Sequence, residues 1–277
     1  MFVLKSKGRT VTVDKPVVMG IINLTADSFY DKSRAKELDD IRRMAERHIT
    51  EGATFIDIGG QSTRPGSELL TADEELIKLI PAIELLVKEF PEINISVDTF
   101  YSKVAEKAIG AGAFMINDIS AGAFDDELLD TVAKLKVPYV LMHMKGTPQT
   151  MTTKSNYEDV VKEVYTFLKE KLSFLKQKGI EQTIIDPGFG FAKTIDQNFK
   201  LLQELELFTT LNAPVLLGIS RKSFIYKTLN TTPDNSLTGT TFLHAFGLEK
   251  GATILRVHDV KAAVESIELF QAYLHKK

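Results

Sequence analysis

Arg256 and His258 stand in the stretch TILRVHDV, residues 253–260, whose apolar and β-branched run reads as a buried strand. A guanidinium left unpaired in low dielectric costs several kcal/mol, so an anion must meet it, supplied by the protein or by a ligand. Side chains alternate across an extended strand, which sets Arg256 and His258 on one face as a single site. Other chemistry-bearing residues also close or follow apolar runs: Asn23, Asp57, Asp98, Asn117 with Asp118, His143, Asp186, and Ser220–Arg221–Lys222. Any one of them could be a turn former or a helix cap, but their recurrence at run after run argues for a shared site.

Asp98 in INISVDT and Asp186 in TIIDPGFGF each follow the last apolar residue of their run. Thr99 and Ser102 are available to cap the next helix, and Pro187–Gly188 to make the next turn, which leaves both acids for a ligand. With Asn117 they offer two carboxylate acceptors and an amide, a set suited to a flat heterocycle that presents an amino group, a ring N–H and a carbonyl. Lys222 lies in GISRKSFIY, where a strand should pass into a helix whose first N–H groups attract anions, and its ammonium is placed to reach a ring carbonyl or nitrogen. The spacing is not that of a Walker loop.

Two hydroxyl-rich segments, NLTADSFYDKSR and DIGGQSTRPGSE, the second with three glycines and a proline, follow the first two long runs and have the composition of ligand-clasping loops. Asp27, Ser28 and Asp31 lie in the first, and Arg64 is the only cation of the second. The five histidines have no zinc-ligand spacing. Mg2+ held by the Asn23 amide oxygen and a phosphate ligand needs no such cluster. His143 either supports its loop or touches a ligand.

These residues need a scaffold, and the chain outlines one. Short apolar runs recur at Val17–Ile22, Thr54–Ile58, Ile93–Val97, Ala113–Ile116, Pro138–Met142, Thr183–Ile185, Val215–Ile219 and Thr253–Val257. Most lack polar alternation, as parallel strands buried on both faces do. Helix-like segments separate them, including Leu38–Ile49, Ala72–Glu89, Ser102–Ile109, Asp125–Leu135, Tyr157–Lys178, Gln197–Leu205 and Ser236–Lys250, several closed by a glycine at Gly52, Gly110, Gly179 or Gly251. Eight strands alternating with helices predict an α/β fold, a single (β/α)8 TIM barrel over residues 1–277, with residues 2–13 forming a β-hairpin that closes its bottom. In such a barrel the active site is built at the C-terminal ends of the strands, which is where the polar residues fall.

Composition removes whole classes of function. Of 277 residues 44% are hydrophobic and 26% charged, and the net charge of −3 gives no nucleic-acid or membrane footprint. With no cysteine there is no disulfide and no thiolate chemistry. The first residues, MFVLKSKGRTVTVDKP, lack an apolar signal core, and no run approaches ~18 apolar residues, so a cytoplasmic location is expected.

Taken in order, the segments MGIINLTADSFYD, FIDIGGQSTRPGS, SVDT, MINDIS, LMHMKGTPQTM, DPGFGF, GISRKSFI and ILRVHDV resemble the dihydropteroate synthase family over nearly the whole chain. The resemblance implies condensation of 7,8-dihydropterin pyrophosphate with p-aminobenzoate, dependence on Mg2+, a homodimer and sensitivity to sulfonamide analogues. By position, Asp98, Asn117, Asp186 and Lys222 would hold the pterin, and Asn23, Arg256 and His258 the diphosphate, with Asn23 also a metal ligand. Thr63, Arg64, Pro65, Phe191 and Ser223 match p-aminobenzoate positions, and Asp31 an acid that meets the aryl amine. Lys222, Arg256, His258 and Asp31 would then carry the catalysis.

The chain departs from the family pattern in both loops. Ala26 replaces a proline, Lys32–Ser33 stand where glycines are usual, and Gln61 replaces a glutamate. Two other readings share the pterin pocket: a pterin-dependent methyltransferase, and a non-catalytic pterin-binding barrel. Neither uses the cations at Lys222, Arg256 and His258.

Overall fold

A computed structural model describes residues 1–24, 31–61, 69–147, 149–150 and 154–274, with backbone only for residues 31–35. The chain opens with strands β1 (Phe2–Ser6) and β2 (Arg9–Val13), joined by a two-residue turn in which Lys7 and Gly8 both take positive φ, 48° and 81°. That is the hairpin geometry whose twist matches its flanking strands. Then follow β3 (Val17–Asn23), α1 (Asp31–Thr50), β4 (Phe55–Gly59), α2 (Ala72–Glu89), β5 (Asn94–Asp98), α3 (Ser102–Gly110), β6 (Met115–Asp118), α4 (Leu128–Leu135) and β7 (Tyr139–Met142). The second half runs α5 (Val160–Gln177), β8 (Thr183–Asp186), α6 (Ile195–Gln203), α7 (Glu206–Thr209), β9 (Leu216–Leu217), α8 (Ser223–Thr228), α9 (Leu237–Glu249), β10 (Ile254–Val257) and α10 (Val260–Leu274).

Strands β3 to β10 form one parallel sheet in the order β8-β7-β6-β5-β4-β3-β10-β9, and a bridge from Ile185 to Val215 joins its two ends. The sheet is a barrel ringed by helices. Its bottom interior is packed with Val17, Met19, Phe55, Phe114, Met115, Val140, Ile184, Leu216 and Ile254, on which Leu4 and Val13 of the hairpin sit. Arg9 fixes the hairpin there by donating to the carbonyls of Ile93 (2.7 Å) and Gly112 (2.9 Å).

Local details differ from the sequence expectation for identifiable reasons. The run Val215–Ile219 keeps only two ladder residues, Leu216 and Leu217, and at its start the Thr253 hydroxyl takes the Val215 N–H (2.6 Å) and shares its carbonyl (3.1 Å). Gly52, Gly179 and Gly251 do end helices in left-handed conformation, but Gly110 stays inside α3 and Gly112 makes that turn. Helix α3 is not capped by Thr99 or Ser102. The Asp125 carboxylate reaches across and accepts from both the N–H and the hydroxyl of Ser102 at 2.7 Å.

Candidate active site

The barrel's period of two decides which polar residues meet. Phe55, Met115, Val140, Ile184 and Ile254 pack in the bottom layer. Two residues on, each strand presents its next inward position: Asp57, Asn117, Met142, Asp186 and Arg256. Strand register then aligns Asn23 with Gly59, Gly59 with Asp98, and Asp98 with Asn117 along the rim. The sequence-predicted Asn23, Asp98, Asn117, Asp186, Lys222, Arg256 and His258 thus all belong to the C-terminal ends of strands or the turns after them.

The anion that meets Arg256 comes from the protein. Its Nε donates to Asp57 Oδ2 at 2.6 Å and its Nη2 to Asp98 Oδ2 at 2.9 Å. Asp57 is fully buried and also accepts from the Asn117 side-chain amide at 3.0 Å. Of the two sources left open by the sequence, protein or ligand, the protein itself supplies this anion, and the acids of the expected ring site and the cation of the expected diphosphate site are in direct contact. A buried guanidinium needs its countercharge while the protein folds, before any ligand binds. Burial opposes the charge of Arg256, but Asp57 and Asp98 outweigh it and raise its pKa. Two of its five N–H donors make these bonds, and the side chain remains 20% exposed toward the mouth.

Burial pushes Asp98 up to about 7 against the pull of Arg256, with Asp57, Asp118 and Asp186 adding to the rise. Burial also raises Asp186, opposed by Lys222. One oxygen of Asp186 accepts the Gly188 N–H at 2.7 Å, so this acid helps make the turn that Pro187–Gly188 was expected to make alone. Lys222 is lowered to about 8 by burial, despite Asp186. Its ammonium donates to the Phe189 carbonyl and lies 4.4 Å from the centre of the Phe191 ring. A Cβ at Gly190 would fall 2.7 Å from Lys222 Cδ, so only glycine lets the lysine stem pass there.

His258 is exposed at the mouth and anchored by Ser220, whose hydroxyl meets both its Nδ1 (3.1 Å) and its backbone N–H (3.2 Å). Desolvation and then the Arg256 charge lower its pKa, so the ring is neutral at pH 7. Ser223 opens α8 beside Lys222, and Phe191 packs with Phe100, Ile119 and Met142. Asn23 ends β3 with its side chain exposed. Asp31 opens α1, but its side chain lies outside the described residues, as do Ala26, Thr63, Arg64 and Pro65 and the side chains of Lys32 and Ser33. Among the described residues no cluster of three or more His, Asp or Glu is arranged to hold a metal. An exposed amide oxygen such as that of Asn23 suits a hard cation that brings water and phosphate oxygens as its other ligands.

His143 supports its loop: its Nδ1 lies 3.1 Å from the Lys193 ammonium, which also donates to the carbonyls of Gly188 (2.9 Å) and Phe191 (3.0 Å). Burial and then Lys193 push this histidine down to about 2.

A family model described as pterin binding enzyme matches residues 19–258. Dihydropteroate synthase of Escherichia coli strain K12 is 40% identical over 276 residues, covering 99% of this chain and 97% of that one. The structure of Xanthomonas albilineans dihydropteroate synthase with 4-aminobenzoic acid superposes with a TM-score of 0.90 at 41% identity, covering 98% of each chain. The same enzyme in complex with 7,8-dihydropteroate gives 0.86 at 38% identity, again over 98% of each. The chain belongs to the dihydropteroate synthase family of pterin-binding enzymes.

Within that family the Gln61 departure has a clear local function. Its amide donates to the Leu70 carbonyl (2.9 Å) and accepts the Leu70 N–H (3.0 Å), a pairing a carboxylate could not complete. Glu75 is fully buried beside it and accepts from the Thr99 hydroxyl at 3.0 Å. Asp57 was read from sequence only as one of the polar strand-end residues, with no partner assigned, and Glu75 and Lys193 were not singled out. An acid inside the apolar run FIDIG carries the same signal as Arg256 in TILRV, and that shared signal could have paired the two.

Proposed function

We propose that the protein is a dihydropteroate synthase, joining (7,8-dihydropterin-6-yl)methyl diphosphate to p-aminobenzoate to give 7,8-dihydropteroate and diphosphate. The observation that carries this reading is the inward layer of Asp57, Asn117, Asp186 and Arg256 at the mouth of a barrel that matches synthases along its whole length. Asp186, Asn117 and Asp98 complement a pterin edge, and Lys222 approaches its acceptor atoms. Asn23, Arg256 and His258 take the diphosphate, Arg256 with the N–H groups not engaged by Asp57 and Asp98. Thr63, Arg64, Pro65, Phe191 and Ser223 hold p-aminobenzoate, with Asp31 near its amine.

An arylamine is a weak nucleophile, so the reaction follows an SN1-like order. The methylene C–O bond breaks first, and its electrons leave with diphosphate. The surrounding carboxylates stabilise the pterin cation left behind, the amine nitrogen adds to the methylene carbon, and the amine gives up a proton. Mg2+, held through Asn23, would neutralise charge on the departing group. The same proposal includes a homodimer and a cytoplasmic location. No helix among the described residues is long and apolar enough to cross a membrane.

The test is release of pyrophosphate and formation of dihydropteroate when the protein is mixed with both substrates and Mg2+. Arg256→Ala would strand Asp57 and Asp98 and destabilise the fold by roughly 3–5 kcal/mol, so the informative variant is Arg256→Lys. It is expected to fold and to lose most of the release, because a point charge cannot serve two carboxylates and a diphosphate together. No release by folded parent protein would reject the assignment.

A further inference from the structure

We infer that Arg221 and Asp259 are positioning residues that hold the turn after β10 against the turn after β9, so that His258 faces the diphosphate beside Arg256. The inference rests on the diphosphate site proposed above and extends it to two residues that touch neither the ring layer nor Arg256 in the contacts described.

The pair is bidentate. Arg221 Nε donates to Asp259 Oδ2 at 2.8 Å and Nη2 to Asp259 Oδ1 at 2.7 Å, with the two side chains only 25% and 19% exposed. The third nitrogen, Nη1, reaches Asp234, whose side chain is solvent-exposed. Parallel N–H···O bonds of this kind fix orientation as well as distance. Arg221 also takes a left-handed backbone, φ 55°, an uncommon and costly conformation for a residue with a long side chain. The contacts that hold it are visible: the Asp259 fork and the Arg221 N–H donating to the Thr240 hydroxyl at 3.1 Å.

Each member of the pair is adjacent in sequence to a proposed ligand. Lys222 follows Arg221, and His258 precedes Asp259. A parallel bond joins the preceding residue of the β9 turn to the same histidine, through Ser220 Oγ and His258 Nδ1. The two turns are thus laced at consecutive positions, Ser220 to His258 and Arg221 to Asp259. Without the fork the left-handed turn has less to hold it, and His258 can swing away from Arg256. Because Asp57 and Asp98 already fix Arg256, and the Phe189 carbonyl and the Phe191 ring hold Lys222, the effect falls on His258 at the diphosphate end and spares the ring pocket.

The experiment is calorimetric titration of inorganic pyrophosphate, with Mg2+, and separately of a dihydropterin lacking the diphosphate, into the parent protein, Asp259→Asn and Arg221→Lys. Arg221→Lys keeps the charge and removes the fork, so it remains informative should Asp259→Asn fail to fold. We expect folded variants with pyrophosphate affinity weakened about tenfold and pterin affinity within about twofold of parent. The charge-swapped double variant Arg221→Asp with Asp259→Arg is expected to recover part of the loss. Pyrophosphate affinity unchanged in folded variants, or both ligands weakened alike, overturns the inference while leaving the synthase reading intact. A parent protein that binds no pyrophosphate overturns the diphosphate site, and this inference with it.

Discussion

Glu75 has its carboxyl enclosed by protein, and burial pushes it up to about 8, against hydrogen bonds from Thr99 and Gln61 and with help from the negative charge of Asp98. The folded protein therefore keeps this proton up to about pH 8, whereas an unfolded chain releases it near the model-peptide value of about 4.3. Stability from this group is fully present below the lower value and is lost as pH rises through the upper one. Glu75→Gln is neutral throughout, so its urea-unfolding free energy should fall less between pH 5 and pH 8 than that of the parent, by about 1–3 kcal/mol. Parallel pH profiles for the two proteins would show that Glu75 is ionised in the fold. Nothing in DEELIKLI marks Glu75 as enclosed, because an acid in the first turn of a helix is ordinary. Arg256 was legible for the opposite reason: a charge inside an apolar strand breaks a pattern. The identity of its partner was not, since Asp57 lies 199 positions away and only barrel closure brings the two together.

At the scale of elements, the loop from β8 to α6 is held by two glycines that no other residue could replace without strain. Gly188 and Gly190 take φ of 72° and 77°, and a Cβ on Gly188 would strike the His143 carbonyl oxygen at 1.9 Å. Gly190→Ala should cost about 1 kcal/mol or more of stability from backbone strain alone. It should also weaken dihydropterin binding about tenfold by displacing the Lys222 stem, measurable by calorimetry beside a thermal melt. Loss of stability with unaltered pterin affinity would show that Lys222 tolerates the shift. Strand and helix order was readable because buried parallel strands leave continuous apolar runs, and the expected Ala72–Glu89 matches α2 to the residue, its start fixed in the structure by a Thr71–Glu74 capping box. The capping of α3 by Asp125 was not readable, since it depends on a side chain from another element replacing a local bond.

For the whole molecule, the outer face of the neighbouring helices α9 and α10 carries exposed Phe242, Phe246 and Leu269, the first and last 63% and 73% accessible. Apolar area of that kind is characteristic of association surfaces. Phe242→Glu with Leu269→Lys should convert the expected homodimer to monomer in sedimentation velocity while leaving the melting temperature within a few degrees. A parent that sediments as a monomer would reject the dimer. The hairpin at the other pole has a different consequence. By corking the barrel with Leu4 and Val13, it closes the lower end of the chamber among the described residues. Under the proposed assignments the ring seats nearer that floor than the arylamine, so traffic is expected to form a queue, the heterocycle first, and equilibrium binding of p-aminobenzoate with and without a dihydropterin would show the order.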